Sequence, residues 1–239
     1  MGLGAGMTVP SGAFFGPEDL SLVRQLGEVG FIRWGDTPFS LKSGIKSHVY
    51  VFGREDLTDH PDVLLQVGNK IRRDITGQSP ADQNHTLIGI PVCGSTLAEA
   101  AAISSLLFTG DPKKMNFRVM RQQPKKHGAH NQWVEGPYDP SRAHWTVDNV
   151  ITRGDSKDEM NPHLIESGYP SQTDPSGNMG TYIFVDRQQG GVKLLEESGY
   201  RRVVVGYNLL DLTYAFAELG IWDKSSVEKV EQEIALHQF

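Results

Sequence analysis

The chain of 239 residues, 38% of them hydrophobic, is long enough for one large α/β domain or a core with a small appendage. Its 29 acidic against 23 basic residues leave a formal charge of −6, which excludes a protein that holds nucleic acid through a basic surface. One cysteine (Cys93), no apolar run near the roughly 20 residues that span a bilayer, and no signal-like amino terminus exclude a disulfide framework and a membrane partner, and imply the cytoplasm.

Residues 1–16 are Gly-rich and read as a flexible terminus; Gly6 stands where a myristoylation signal needs Ser or Thr. From Pro17, PEDLSLVRQLGEVGFI places Leu20, Val23 and Leu26 on one face with acids in the first turn, the pattern of a helix start. LKSGIKSHVYVFGR, residues 41–54, reads as a Ser-Gly turn and an extended run with Val49 and Val51 alternating. Residues 17–58 thus form a small N-terminal hood. Beyond residue 59, helices at 60–75, 96–108, 156–168 and 191–199 alternate with apolar runs at 86–91, 117–121, 144–149, 181–186 and 202–207. Five short strands separated by helices predict an α/β core over 59–224, a five-stranded parallel sheet with flanking helices. A last helix follows over 225–239.

Two connections stand out. RQQPKKHGAHNQWVEGPYDPSRA, residues 121–143, has no helical period and exceeds most loops of a compact domain, as lids and binding loops do. Its Arg121, Lys125, Lys126 and His127 concentrate positive charge in an acidic protein, suited to a polyanion, although for a Lys-Lys pair alone a solvated loop is the better account. The second is HWTVDNVITRGDSKDE, residues 144–159, where an apolar run ends at Asp148 and passes through Thr152-Arg153-Gly154-Asp155-Ser156 into a helical pattern. Such a turn lies at the carboxyl end of a strand, and the next helix presents unpaired N–H groups that hold a phosphate. Spacing alone fits an ordinary βα loop with a Ser or Thr cap just as well. The Arg-Gly-Asp-Ser tetrapeptide lies between a core strand and a helix, out of place for cell adhesion.

The second stretch resembles the phosphoribosyl pyrophosphate (PRPP) signature of type I phosphoribosyltransferases: an apolar run, two acids, two apolar residues, Thr, any residue, Gly, any residue, Ser or Thr. Four further pieces in the same order resemble the orotate phosphoribosyltransferases. These are Leu41-Lys42-Ser43-Gly44 with Tyr50-Val51; Gly89-Ile90-Pro91 leading to Val92-Cys93-Gly94; Arg121, Lys125, His127 and Gly128; and Asp186-Arg187 followed by Gly190-Gly191. The resemblance runs from Leu41 onward over nearly the whole chain.

It implies transfer of ribose 5-phosphate from PRPP to N1 of orotate. PRPP would be held by Lys42, Val92, Cys93, Arg121, Gln122, Lys125, Lys126 and His127, and by Asp148, Asn149, Val150, Ile151, Thr152, Arg153, Gly154, Asp155 and Ser156. Orotate would meet Lys42, Tyr50, Val51, Thr152 and Arg187. Lys125, His127 and Asp148 would be catalytic, the loop groups stabilising the leaving pyrophosphate and Asp148 the ribose hydroxyls. Mg²⁺ would be held mainly by PRPP, with no protein metal ligands. A homodimer is implied, with loop 121–143 acting across the interface.

Four positions depart from the pattern. Asn149 replaces the second acid, trading a charge-assisted hydrogen bond for a neutral one at roughly 1–2 kcal/mol. That is on the order of tenfold in rate. Asp155 brings a carboxylate toward the phosphate unless it turns outward or pairs with Arg153, Gln122 stands in place of a second loop lysine, and Cys93 in place of Lys or Thr. Two other readings remain open: a type I enzyme for another base, and a non-catalytic regulator that binds PRPP as a signal. The sheet uses nearly all the residues, leaving no room for a fused decarboxylase.

Overall fold

The computed structural model describes residues 6–41, 43–51, 55–124, 133–175 and 178–239. In chain order these form β1 (Met7–Thr8), β2 (Phe14–Phe15), α1 (Pro17–Glu28), β3 (Ile32–Ser40), β4 (Lys46–Val51), α2 (Glu55–Thr58) and α3 (Pro61–Thr76). The core follows with β5 (His85–Gly89), α4 (Cys93–Thr109), β6 (Met115–Val119), β7 (Ala143–Ile151), α5 (Asp155–Glu166), β8 (Met179–Asp186), α6 (Gly191–Glu197), β9 (Val203–Asn208), α7 (Leu209–Glu218) and α8 (Ser225–Leu236).

β5 to β9 build one parallel sheet in the order β6-β5-β7-β8-β9. The central strands β5 and β8 are buried at every position, as expected of strands covered on both faces, while the edges β6 and β9 are half-buried. On one face α3 lays Val63, Val67, Ile71 and Ile75, four residues apart, into a large cluster with Leu97 and Ala101 of α4, Trp145 and Tyr182. On the other, Leu164 of α5 packs with Ile88, Met179 and Tyr169, and Leu195 of α6 with Ile151 and Ile183. The strand order reverses between β5 and β7. Ligands of open α/β sheets bind at that switch point, beyond the carboxyl ends of the strands.

The hood is the antiparallel hairpin β3–β4, whose register shifts between Trp34 and Phe39. It begins nine residues earlier than the extended run expected from Leu41. Several expectations need correction. Residues 7–15 are a hairpin rather than a loose terminus: Val9 and Phe15 are buried, and Ser11 donates to Asp211 through its amide (2.9 Å) and its hydroxyl (2.6 Å). Helix α7 was not expected, and β6 starts at Met115. The second half of loop 121–143 is anchored, with Val134 fully buried and bridged to Met120 and the Trp133 ring stacked on His163 at 3.5 Å.

Candidate active site

Beside the switch point, beyond the carboxyl ends of β7 and β8, the β7–α5 turn, the hood and the residue after β8 enclose a cavity of about 260 Å³. Tyr50 and Val51 of β4 form one side, Val150 and Thr152 to Lys157 another, and Arg187 closes it. Gly154 turns the chain into α5 with φ 98°, a left-handed conformation that glycine adopts without strain. The amides of Asp155 and Ser156 open α5 with the positive end of the helix dipole behind them, while that of Lys157 already bonds the Gly154 carbonyl at 2.8 Å. Gly191, at the start of α6, packs so closely on this turn that a Cβ would collide with the Thr152 carbonyl oxygen. Asp155 is exposed and lies 4.0 Å from Arg153, so the carboxylate has a cation beside it while still lining the cavity.

Asp148 is buried near the end of β7. Its Oδ1 accepts the Asn149 amide at 2.8 Å, and its Oδ2 accepts the Lys157 ammonium at 2.6 Å and lies 3.4 Å from Ser156 Oγ. Lys157 is itself almost wholly buried and completes its donors on the Val150 carbonyl (2.8 Å) and Ser156 Oγ (3.3 Å). Arg187 is likewise buried, ion-paired at 3.0 Å with Glu233 of α8, and donating to Val49 O at 3.0 Å and Ser47 Oγ at 2.5 Å. Its carboxylate is therefore Glu233, not the neighbouring Asp186. Burial lowers the Arg187 pKa, an effect that Glu233 opposes, and burial raises that of Asp186. Glu233 also accepts the His48 amide at 3.1 Å, so α8 fixes hairpin and arginine together.

The other expected residues lie at varied depth. Val92 and Cys93 open α4 beside β7, the first exposed and the second buried; neither lines the cavity. Ile151 faces the apolar cluster under α6, leaving its backbone to the site. Arg121 is tied to Glu135 through Nε at 2.6 Å and through a second guanidinium nitrogen, while Gln122 is exposed. Lys42, Lys125, Lys126 and His127 lie outside the described residues.

No protein-family model matches the chain. Curated relatives do: uridine 5'-monophosphate synthase of Caenorhabditis elegans is 26% identical over 208 residues, 85% of this chain and 37% of that protein. Orotate phosphoribosyltransferases of Chlamydia felis and a Nostoc species are 28% and 27% identical over 182 and 183 residues, 75% and 76% of this chain and 77% and 80% of theirs. The fold is that of Leishmania donovani UMP synthase (TM-score 0.68, 18% identity, 91% of this chain and 42% of that one). It is also that of Francisella tularensis orotate phosphoribosyltransferase (TM-score 0.66, 15% identity, 92% and 100%). The chain has the fold of these phosphoribosyltransferase structures and is similar in sequence, at 26–28% identity, to orotate phosphoribosyltransferases and uridine 5'-monophosphate synthase. It thus spans about a third of the nematode protein and some four-fifths of the bacterial enzymes.

In this site, sequence reasoning missed Lys157 and Glu233. Lys157 shares an inward helical face with Leu164, seven residues on, and that periodicity was its one local signal. Glu233 had none, since its partner is 46 residues away in sequence.

Proposed function

We propose that this chain transfers the ribose 5-phosphate group of PRPP to N1 of orotate, giving orotidine 5'-monophosphate and pyrophosphate. The observation that carries the reading is one cavity lined by the phosphate turn 152–156, by Tyr50 and Val51, and by Arg187. The C. felis and Nostoc relatives, whose names state this activity, support it.

The turn takes the 5-phosphate on the α5 amides with Thr152 and Ser156 hydroxyls. Asp148, paired with Lys157, keeps lone pairs that can accept the ribose hydroxyls and so orients the ring. Arg187, with its other N–H groups held by Gln189, Val49, Ser47 and Glu233, presents one remaining N–H of the guanidinium to the base, beside Tyr50 and Val51. Lys125 and His127, with Arg121 and Lys126, stabilise the departing pyrophosphate, and Lys42 adds a point charge between PRPP and base.

Mg²⁺ fits as an ion carried in by the substrate. Mg²⁺ keeps several waters and takes phosphate oxygens, so the hydroxyl and pyrophosphate oxygens of PRPP would hold it. Bound so, it would neutralise pyrophosphate charge. The apolar side chains that α4 exposes, Ile103, Leu106, Leu107 and Phe108, support a homodimer in which loop 121–143 serves the neighbouring site. No helix among the described residues is long and apolar enough to cross a membrane, and the one cysteine suits the cytoplasm.

The test is the fall in orotate absorbance on mixing protein, PRPP and Mg²⁺, with adenine, hypoxanthine and uracil as parallel acceptors. Turnover of orotate alone supports the reading. Turnover of another base shifts the acceptor, and PRPP binding without turnover of any base selects the PRPP-sensing regulator.

A further inference from the structure

Lys157 is the ionic group that the reaction as described does not use. It lies 2% exposed in the first turns of α5. An ammonium has three N–H donors, and all three are engaged within the chain, by Asp148 Oδ2 at 2.6 Å, Val150 O at 2.8 Å and Ser156 Oγ at 3.3 Å. It therefore reaches no reactant directly without breaking a bond of its own. What it does is fix one carboxylate oxygen of Asp148 while the Asn149 amide fixes the other, and place a positive charge inside the ribose–phosphate turn.

The charge balance follows from three residues. The two-acid form of the motif would carry two negative charges against a polyanionic substrate, a repulsion that a divalent cation relieves. Here Asn149 removes one charge and Lys157 cancels the other, so Asp148, Asn149 and Lys157 sum to zero. Both residues act in the same direction.

We propose that Lys157 is a positioning residue that holds the Asp148 carboxylate and substitutes for part of the divalent cation's charge, so that this chain binds PRPP with little dependence on Mg²⁺. The proposal rests on the PRPP-binding reading above.

The experiment is calorimetric titration of PRPP into the wild-type chain, Lys157→Met and Asn149→Asp, each with Mg²⁺ and with EDTA, the readout being the ratio of the two dissociation constants. A unit charge a few ångströms from a phosphate in a partly solvated site changes affinity roughly tenfold. The wild-type ratio should be small and each variant's about tenfold larger, a change that mere loosening of α5 would not produce, because loosening weakens both conditions alike. Should circular dichroism show Lys157→Met unfolded, Asn149→Asp, altered at a half-buried strand position, decides alone. Equal ratios in the wild type and the folded variants overturn the proposal and leave the PRPP site standing. A folded wild-type chain that binds no PRPP even with Mg²⁺ overturns the underlying reading and this proposal with it.

Discussion

Glu233→Gln tests whether the C-terminal helix is part of the orotate site. In the folded chain Glu233 Oε1 accepts Arg187 at 3.0 Å and Oε2 accepts the His48 amide at 3.1 Å, with the guanidinium 2% and the carboxylate 9% exposed. Glutamine has one acceptor oxygen, so one of these bonds is lost and the Arg187 charge is left buried without its counter-ion. Breaking a buried pair from one side costs roughly 3–5 kcal/mol. The hydrogen bonds from Arg187 to Val49 and Ser47 persist, which places the loss near the lower end, about 3 kcal/mol. For a chain of this size that lowers the melting temperature by about 6–12 °C. On the proposed role of Arg187 toward the base, KM for orotate should rise while KM for PRPP stays within about twofold. Thermal unfolding followed by circular dichroism gives the first number and the orotate absorbance assay the second. Unchanged melting and unchanged orotate KM would refute the clamp. A tighter orotate KM would show that Glu233 competes with the base for Arg187 and does not hold the arginine ready.

Gly94→Ala should destabilise the chain by roughly 1–3 kcal/mol in urea, because its Cβ would collide with the Val147 carbonyl oxygen, and should weaken PRPP binding by displacing the turn into α4. Burial lowers the pKa of His85 and of His144 from 6.5 to about 4. Neutral imidazole thus contributes stability above the unfolded value of 6.5 that is lost as pH falls from there toward 4, roughly 2 kcal/mol per histidine by about pH 5. Urea unfolding should show this decline, and His144→Phe, which keeps a ring against Tyr138 and Tyr169, should flatten it; an equally steep decline in the variant would place the titration elsewhere. Lys125→Ala should lower orotate turnover by about 100-fold or more while PRPP binding stays within a few-fold, and unchanged turnover would remove the loop lysine from the chemistry.

The sheet was legible because strands buried on both faces are nearly continuous apolar runs and Gly89, Gly154 and Gly190 punctuate their ends. Helix α7 was hidden for the same reason: it follows β9 with no residue between, so VVVGYNLLDLTYAFAE reads as one apolar stretch. Strand β3 contains Gly35, Asp36 and Pro38, which read as a turn, and its pairing with β4 is in fact irregular there. The amino-terminal hairpin is held by Ser11 on Asp211, a contact across 200 positions that no local pattern carries. The site divides similarly. Spacing located the turn that Gly154 builds, because the backbone does the work there. Side-chain charge states were not legible, since each depends on a partner from elsewhere in the fold.

Those partners share a pattern. Every charged side chain that the sequence assigns to the reactants, among the described residues, is already paired within the chain: Arg121 with Glu135, Asp148 with Lys157, Arg153 with Asp155, and Arg187 with Glu233. The exposed pairs, Arg121–Glu135 and Arg153–Asp155, are worth little and can exchange partners for a phosphate at small cost. The buried pairs cannot exchange so cheaply, because opening either one strands an ion away from water. Asp148 and Arg187 therefore act as fixed dipoles with their counter-ions and contribute orientation more than net charge. Under the proposed function, the attraction for a polyanion is left to the α5 amides, to the exposed arginines, and to Lys42, Lys125, Lys126 and His127. Salt should accordingly weaken PRPP binding through the exposed groups and leave the geometry at Asp148 and Arg187 intact.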